Sequence, residues 1–132
     1  MESVNKVAIE LEDVTDTQNV GNTEPMVLPS FIRGYHVYRK CWTPVLGQTL
    51  SGIPEDDNKY DKTAVAVMYN NRVSGHVPKT LSGIFTKFLL KGAIYAKVTG
   101  PILHRGYGLE VPVNYIFHGD KDSLDELVAD IS

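Results

Sequence analysis

Apolar and polar positions alternate most regularly in the middle of the chain, on either side of Asn70-Asn71. Residues 63–69 and 72–77 are rich in β-branched and apolar side chains, which is typical of strands. Asparagine tolerates the positive φ angles that two-residue hairpin turns require, so the pattern predicts a β-hairpin. A two-residue turn sets Val65 opposite His76.

The predicted hairpin has two faces, because side chains alternate strictly along a strand. The face expected in the core carries Ala64, Ala66, Met68, Val73, Gly75 and Val77, and the opposite face carries Val65, Val67, Tyr69, Arg72, Ser74 and His76. His76 is therefore expected to project toward the polar loop, residues 54–62, that leads into the hairpin.

Shorter patterns predict the remaining elements. Apolar residues recur at helical spacing across 80–91, which predicts a helix with Thr80 as its N-cap. Further strands are predicted at 32–42, 48–53, 93–99 and 109–117, and a loop at 104–108. Pro112 interrupts the last strand and favours an edge position or a bulge. Residues 120–132 place apolar side chains at helical spacing on an acidic background.

These elements predict an all-β fold with one or two helices, a small and partly open OB-like β-barrel. The barrel is expected to span residues 31–119. We expect residues 1–30 to form an acidic, flexible N-terminal tail and residues 120–132 to form an acidic C-terminal tail or a short helix. Spacing along the chain predicts no strand order.

Composition narrows the class of protein. The 132 residues include one cysteine, Cys41, which excludes a disulfide framework and a multi-cysteine zinc site. The four histidines lack the close spacing of metal ligands and no nucleophile motif is present, so we expect no cofactor and no enzymatic activity. The apolar runs are short and no signal peptide opens the chain, so we expect a soluble, intracellular monomer without membrane association.

Charge is distributed unevenly along the chain. The net charge of −3 is the balance of −5 in residues 1–30, −4 in residues 120–132 and +6 in residues 31–119. A basic body between acidic flanks suits an anionic ligand, although ordinary surface lysines explain the imbalance equally well. The acidic flanks are also candidate contacts for protein partners.

Residues 31–119, about two-thirds of the chain, resemble a HIRAN domain, a module of certain chromatin-remodelling and fork-remodelling helicases. The resemblance is carried by residues 57–65 (Asp-Asn-Lys-Tyr-Asp-Lys-Thr-Ala-Val), by residues 75–79 (Gly-His-Val-Pro-Lys) and by residues 111–119. It implies a compact OB-like barrel that binds single-stranded DNA at a free 3′-hydroxyl end without catalysis. It also implies a nuclear protein with a role in DNA repair.

The resemblance implies roles for individual residues. Tyr60 would stack on the terminal base and Asp61 would accept a hydrogen bond from the sugar hydroxyl, while His76 and Lys79 would hold the adjacent phosphate. Stacking on an aromatic ring is worth roughly 1–3 kcal/mol per base. A carboxylate at the strand end can accept a hydrogen bond from a free hydroxyl. It repels the phosphate that would be present if the strand continued.

Other positions match the family pattern less closely. Asn58 matches the second residue of a family asparagine pair, whereas Asp57 stands at the first and places a negative charge near the phosphate path. The family's arginine and aromatic pair on the first strand has no clear counterpart. Candidates for the remaining aromatic contacts are Tyr35 and Tyr38 and, before the last strand, Tyr107, although Leu109 aligns as naturally.

Structural interpretations remain open beside these roles. Tyr60 could cap the barrel, Asp61 could fix an Asx-type turn, and His76 could be an ordinary strand residue. Two functions of different classes follow. One is a module that binds the end of single-stranded DNA, and the other is a protein-interaction module that keeps the barrel but has lost DNA binding.

Overall fold

The structure is a computed structural model that describes residues 24–106 and 108–132. Seven strands form in these ranges: β1 (Met26–Ile32), β2 (Thr49–Pro54), β3 (Val65–Tyr69), β4 (Arg72–His76), β5 (Ala93–Val98), β6 (Leu103–Arg105) and β7 (Gly108–His118). The helices are α1 (Tyr35–Tyr38), α2 (Lys79–Leu89) and α3 (Lys121–Ile131). None of the helices in this part of the chain is long and apolar enough to cross a membrane.

The strands form one curled antiparallel sheet in the order β1-β7-β5-β2-β3-β4, with β6 paired to β7. The two ends of this order meet where the Arg33 N–H donates to the His76 carbonyl (2.8 Å) and the His76 N–H donates to the Arg33 carbonyl (2.9 Å). Gly75 permits this approach, since a Cβ there would lie 2.7 Å from the Arg33 carbonyl oxygen. The predicted OB-like, strand-rich barrel is therefore confirmed.

The core lies between the sheet and the two long helices. Phe85 of α2 packs edge-on against Tyr115 and Phe117 of β7, with ring centroids 4.9 Å and 5.0 Å away. Leu124 and Leu127 of α3 are buried in the same cluster. The C-terminal segment, for which the sequence left a tail or a short helix open, is thus a helix packed on the barrel.

The first strand differs from its prediction. A strand was expected at 32–42, but β1 ends at Ile32 and Gly34 adopts a left-handed φ of +76°, which breaks the strand. Tyr35 then enters the core, where its ring lies 5.6 Å from that of Trp42 and its hydroxyl donates to the Trp42 carbonyl (2.9 Å). The aromatic and β-branched residues that suggested a strand therefore belong to α1 and the turn after it.

Strand β1 begins at Met26, inside the segment that was expected to be a flexible tail. It pairs with β7 from Met26 opposite Phe117 to Ile32 opposite Val111. Residues 26–30 are thus part of the sheet. Residues 1–23 of the predicted tail lie outside the described residues.

The predicted hairpin forms, and its two turn residues have the predicted positive φ angles. Asn70 and Asn71 have φ angles of 50° and 63°. The pairing beyond the turn differs, because a β-bulge makes Ser74 an extra residue on β4 and sets Ala66, not Val65, opposite His76. The Ser74 hydroxyl donates to the Val67 carbonyl (2.7 Å), so a side chain satisfies an acceptor where the register shifts.

Both faces of β3 are buried, but the main core cluster takes the face that was expected to point away from the core. Val65 and Val67 are fully buried and belong to the core cluster, whereas Ala64 and Ala66 are buried outside it. The larger, β-branched side chains fill the barrel interior because they bury more apolar surface than alanine. Alternation alone could not show which of two apolar faces is the inner one.

Strand β7 is central, so the edge position expected from Pro112 is wrong. It pairs with β1 along one side and with β5 and β6 along the other. Pro112 falls between the β5 pairing, which ends at Val113, and the β6 pairing, which begins at Glu110. The proline therefore stands where no regular ladder bond is lost. The predicted loop at 104–108 contains part of the β6–β7 hairpin.

The other predictions of secondary structure are confirmed within a few residues. Strand β5 lies in the predicted range and buries Ile94, Ala96 and Val98, as their alternation indicates. Helix α2 begins at Lys79, so its N-cap is Pro78 and not the predicted Thr80.

Candidate functional site

A cleft of about 550 Å³ opens beside the junction of β1 and β4. Predicted site residues that line this cleft together are Asn58, Tyr60, Asp61, His76 and Lys79. They come from the loop between β2 and β3, from the end of β4 and from the start of α2. Closure of the barrel is what brings these separate segments to one place.

The loop between β2 and β3 is fixed by the side chain of Asn58. Its Oδ1 accepts hydrogen bonds from the N–H groups of Tyr60 (2.8 Å) and Asp61 (2.9 Å), and its Nδ2 donates to Oε1 of Glu55 (2.7 Å). The amide is therefore engaged within the loop. Asn58 serves the site by holding the backbone that carries the next two cleft residues.

Tyr60 has its ring in solvent at the edge of the cleft. The residue is 91% exposed although its N–H is held by Asn58. The interpretation that Tyr60 caps the barrel is therefore wrong. An aromatic ring on a fixed backbone can stack on a planar ligand with little further ordering of the chain.

Asp61 fixes the turn that leads into β3. Its Oδ1 accepts from the hydroxyl (2.8 Å) and the N–H (2.9 Å) of Thr63, and its Oδ2 accepts from the hydroxyl of Ser82 (3.0 Å). These bonds, with that of the Thr63 hydroxyl the strongest, hold the pKa of Asp61 below its usual value. The Asx-type turn is confirmed, and the carboxylate stays ionised at the cleft wall.

His76 is held from two sides. Its Nε2 lies 2.9 Å from Oε1 of Glu55, and its ring centroid lies 5.9 Å from that of Tyr38. Burial raises the pKa of Glu55, but the hydrogen bonds from Asn58 and His76 outweigh burial and leave that pKa below its usual value. Glu55 is therefore an ionised partner, and His76 has both a structural contact and a position in the cleft.

Lys79 is exposed at the first residue of α2. The N-cap, Pro78, has no side-chain acceptor, so the helix begins without a side-chain cap. The positive end of the helix dipole and the Lys79 ammonium therefore lie together at the cleft. This charge also contributes to the lowered pKa of Asp61.

Arg33 is a cleft residue that the sequence analysis missed. Its Nε lies 2.7 Å from Oε2 of Glu110 on β7, whose side chain is 8% exposed, while the Arg33 side chain is 57% exposed. No clear counterpart for a family arginine on the first strand was found in the sequence, although the strand predicted at 32–42 includes Arg33. Local sequence did not single out Arg33, because its place at the cleft follows from the bridge between Arg33 and His76 that closes the sheet.

Some predicted site residues lie elsewhere. Tyr35 is 5% exposed in the core and has no ring face to offer a ligand. Tyr38 contacts His76 but is not among the residues that line the cleft. Tyr107 lies outside the described residues, whereas its alternative, Leu109, lines the cleft. Asp57 is exposed beside the cleft-lining residues and does not belong to them.

The cleft combines groups suited to binding. It presents an aromatic ring, two cations, two imidazoles including that of His36, and two carboxylates. Within residues 24–106 and 108–132, no three His, Cys, Asp or Glu side chains are grouped so that they could hold a metal ion.

Comparison with known proteins rests on the fold. No protein-family model matches the sequence, and no curated protein matches it. Among solved structures, the crystal structure of the HIRAN domain of human HLTF superimposes with a TM-score of 0.63. The fold is that of a HIRAN domain. The match covers 76% of this chain and 82% of the other, at 19% sequence identity.

The HIRAN fold confirms the resemblance found in the sequence. At this level of identity the similarity concerns the architecture, so the function has to be argued from the side chains of this chain.

Proposed function

We propose that this protein is a non-catalytic module that binds single-stranded DNA in the cleft, at a free 3′-hydroxyl end. The observation that carries the proposal is the arrangement around Tyr60. An exposed aromatic ring on a fixed loop stands in one cleft with the cations Arg33 and Lys79 and with the carboxylate of Asp61. The HIRAN fold makes nucleic acid the ligand class to test first.

The base is the part of the ligand that Tyr60 would recognise. Every base has a flat apolar face, so stacking gives affinity without strict sequence preference. The hydrogen bond from the Tyr60 N–H to Asn58 fixes the backbone before the ligand arrives. The loop would therefore lose little conformational entropy when a base stacks on Tyr60.

The phosphate next to the terminal nucleotide would lie near Lys79, the positive end of α2 and Arg33. The ion pair with Glu110 goes through Nε of Arg33, and a guanidinium carries further N–H donors that can form charge-assisted bonds with phosphate. The ion pair with Glu110 therefore restrains the position of the Arg33 side chain. Charge-assisted contacts of this kind make affinity depend on salt.

Asp61 would distinguish an end from the middle of a strand. Each carboxylate oxygen has about two acceptor sites, so the bonds from Thr63 and Ser82 leave acceptor capacity for a sugar hydroxyl. A phosphate at the same place would meet the charge of Asp61. The strand would therefore be preferred when it ends in a free hydroxyl.

A titration with a 5′-labelled oligonucleotide tests DNA binding directly. We expect wild type to bind and Tyr60→Ala to weaken binding about tenfold, since stacking is worth roughly 1–3 kcal/mol per base. Tyr95→Ala removes a partly exposed tyrosine from β5, outside the cleft, and should leave binding unchanged. Lys79→Ala should weaken binding and Lys91→Ala should not. Equal binding by Tyr60→Ala and Tyr95→Ala would refute the proposed site.

A protein-interaction module is the second candidate. It is favoured by the fact that two of the basic cleft groups already face acids, Arg33 facing Glu110 and His76 facing Glu55. No measurable binding of wild type to any single-stranded oligonucleotide at low salt would favour this candidate.

A further inference from the structure

Glu55 contacts two cleft residues from different segments, Asn58 and His76, without lining the cleft itself. Its Oε1 accepts a hydrogen bond from Asn58 Nδ2 (2.7 Å) and lies 2.9 Å from His76 Nε2. Asn58 in turn holds the N–H groups of Tyr60 and Asp61. One carboxylate oxygen therefore ties the loop that carries the ring to the strand end that carries the imidazole.

The Glu55 contact decides which nitrogen of His76 carries a proton. An ionised carboxylate can only accept a hydrogen bond, so Nε2 must be the donor in this contact. The low pKa of Glu55 keeps it ionised at neutral pH. In the neutral ring Nδ1 then carries a lone pair, and Nδ1 is the ring nitrogen that remains for a ligand.

The two protonation states of His76 would interact with a phosphate in opposite ways. Neutral His76 would present the lone pair of Nδ1, which repels a phosphate oxygen. Protonated His76 would present an N–H at Nδ1 and a positive charge, which together form a charge-assisted hydrogen bond.

Other ionisable groups surround His76. Tyr38 of α1 contacts the ring. The groups that share the cleft with His76 are Arg33 with its partner Glu110, His36, Asp61 and Lys79. These groups set a background potential that substitution of Glu55 leaves in place.

We propose that Glu55 is a positioning residue that fixes the ring of His76, so that His76 holds a DNA phosphate only as an imidazolium, through Nδ1. The proposal rests on the proposed DNA binding for its ligand. Its structural part, the tautomer of His76, can be tested in the protein without DNA.

The matched variants are Glu55→Gln, Glu55→Ala and Asp56→Asn. Glutamine keeps an acceptor oxygen for Asn58 and His76 but removes the charge. Alanine removes both. Asp56→Asn removes one charge from an exposed neighbour in the same loop and is the control. His76→Gln removes the titrating group itself.

Oligonucleotide affinity measured from pH 8 to pH 5.5 is the first readout. For wild type we expect affinity to rise about tenfold or more toward low pH, in line with a charge-assisted bond from the imidazolium. Glu55→Ala should reduce this rise, because the ring is no longer held, Asp56→Asn should leave the rise unchanged, and His76→Gln should flatten it. Coincident pH profiles for wild type and Glu55→Ala, or an undiminished rise in His76→Gln, would overturn the proposal.

The ¹⁵N NMR signals of the His76 ring in the free protein are the second readout. Neutral His76 should carry its proton on Nε2 in wild type and in Glu55→Gln, and Glu55→Ala should give a mixture of tautomers. A proton on Nδ1 in wild type would overturn the positioning role, whatever the protein binds. The expected tautomer without any DNA binding would instead refute the proposed function and leave the Glu55 contact standing.

Discussion

The carboxylate of Asp61 forms hydrogen bonds within the fold and also lines the cleft. Its bonds to Thr63 and Ser82 join the loop to the first turn of α2, and its charge remains at the cleft wall. The sequence predicted the turn and suggested the hydroxyl acceptor but could not rank the two, since both need the same residue. The partner Ser82 lies in a different element and was therefore invisible to local patterns.

Tyr115 offers a stability test at the scale of one residue. Its buried hydroxyl donates to the Phe31 carbonyl (2.6 Å), and we expect Tyr115→Phe to cost about 0.5–1.5 kcal/mol of unfolding free energy. Urea denaturation at neutral pH measures this. Tyr95→Phe, at a partly exposed site, is the control and should be neutral.

The same residue predicts a pH dependence. Burial, and then the charge of Glu110, raises the pKa of Tyr115 far above its ordinary value of 10.0. The folded state thus retains a proton that the unfolded state releases, so this contribution to stability is complete below that ordinary value and declines above it. Tyr115→Phe should lose less unfolding free energy than wild type on going to strongly alkaline pH. A parallel decline for both proteins would contradict this assignment.

Elements with one clear periodicity could be predicted from the sequence, whereas elements set by distant partners could not. Helix α2, strand β5 and the β3–β4 turn follow from local patterns. Strand β1 was misplaced because its pairing with β7 spans most of the chain and its own residues include Pro29. The bulge at Ser74 depends on a bond to the opposite strand, so alternation gave a register shifted by one residue there.

Helix α3 can be tested as an element of the fold. Leu127→Ala should destabilise the protein by about 2–5 kcal/mol, because it opens a cavity in the core cluster. Val128→Ala changes the neighbouring residue, which is 49% exposed, and should cost about 0.5 kcal/mol or less. Denaturant midpoints of the two variants give the comparison. Equal midpoints would show that α3 does not contribute to the folded core.

For the whole molecule, charge separates the sequence into a basic body and acidic flanks. The flank at 120–132 proves to be a folded helix with side chains in the core cluster, so removal of this flank would open the core. The missed residue Arg33 adds to the positive charge of the cleft. Net charge could thus be derived from the sequence, but its arrangement around one cleft depends on barrel closure.

Removal of residues 1–23 should tighten DNA binding at low salt. This segment is acidic, and an acidic segment competes with phosphates for the same basic surface. The difference should fade as salt is added, because screening weakens both interactions. Equal affinity of the full chain and of residues 24–132 at low salt would exclude such competition.

The most direct test of the proposed end recognition compares one oligonucleotide with a 3′-hydroxyl or a 3′-phosphate. Wild type should bind the hydroxyl form about tenfold or more tightly, since a charge-assisted hydrogen bond contributes on the order of 1.5–3 kcal/mol. Asp61→Asn keeps an acceptor for Thr63 but removes the charge. The ratio of the affinities for the hydroxyl and phosphate forms should therefore fall strongly. Tyr60→Ala should weaken both forms alike. Equal affinity of wild type for the two forms would contradict recognition of a free 3′-hydroxyl end.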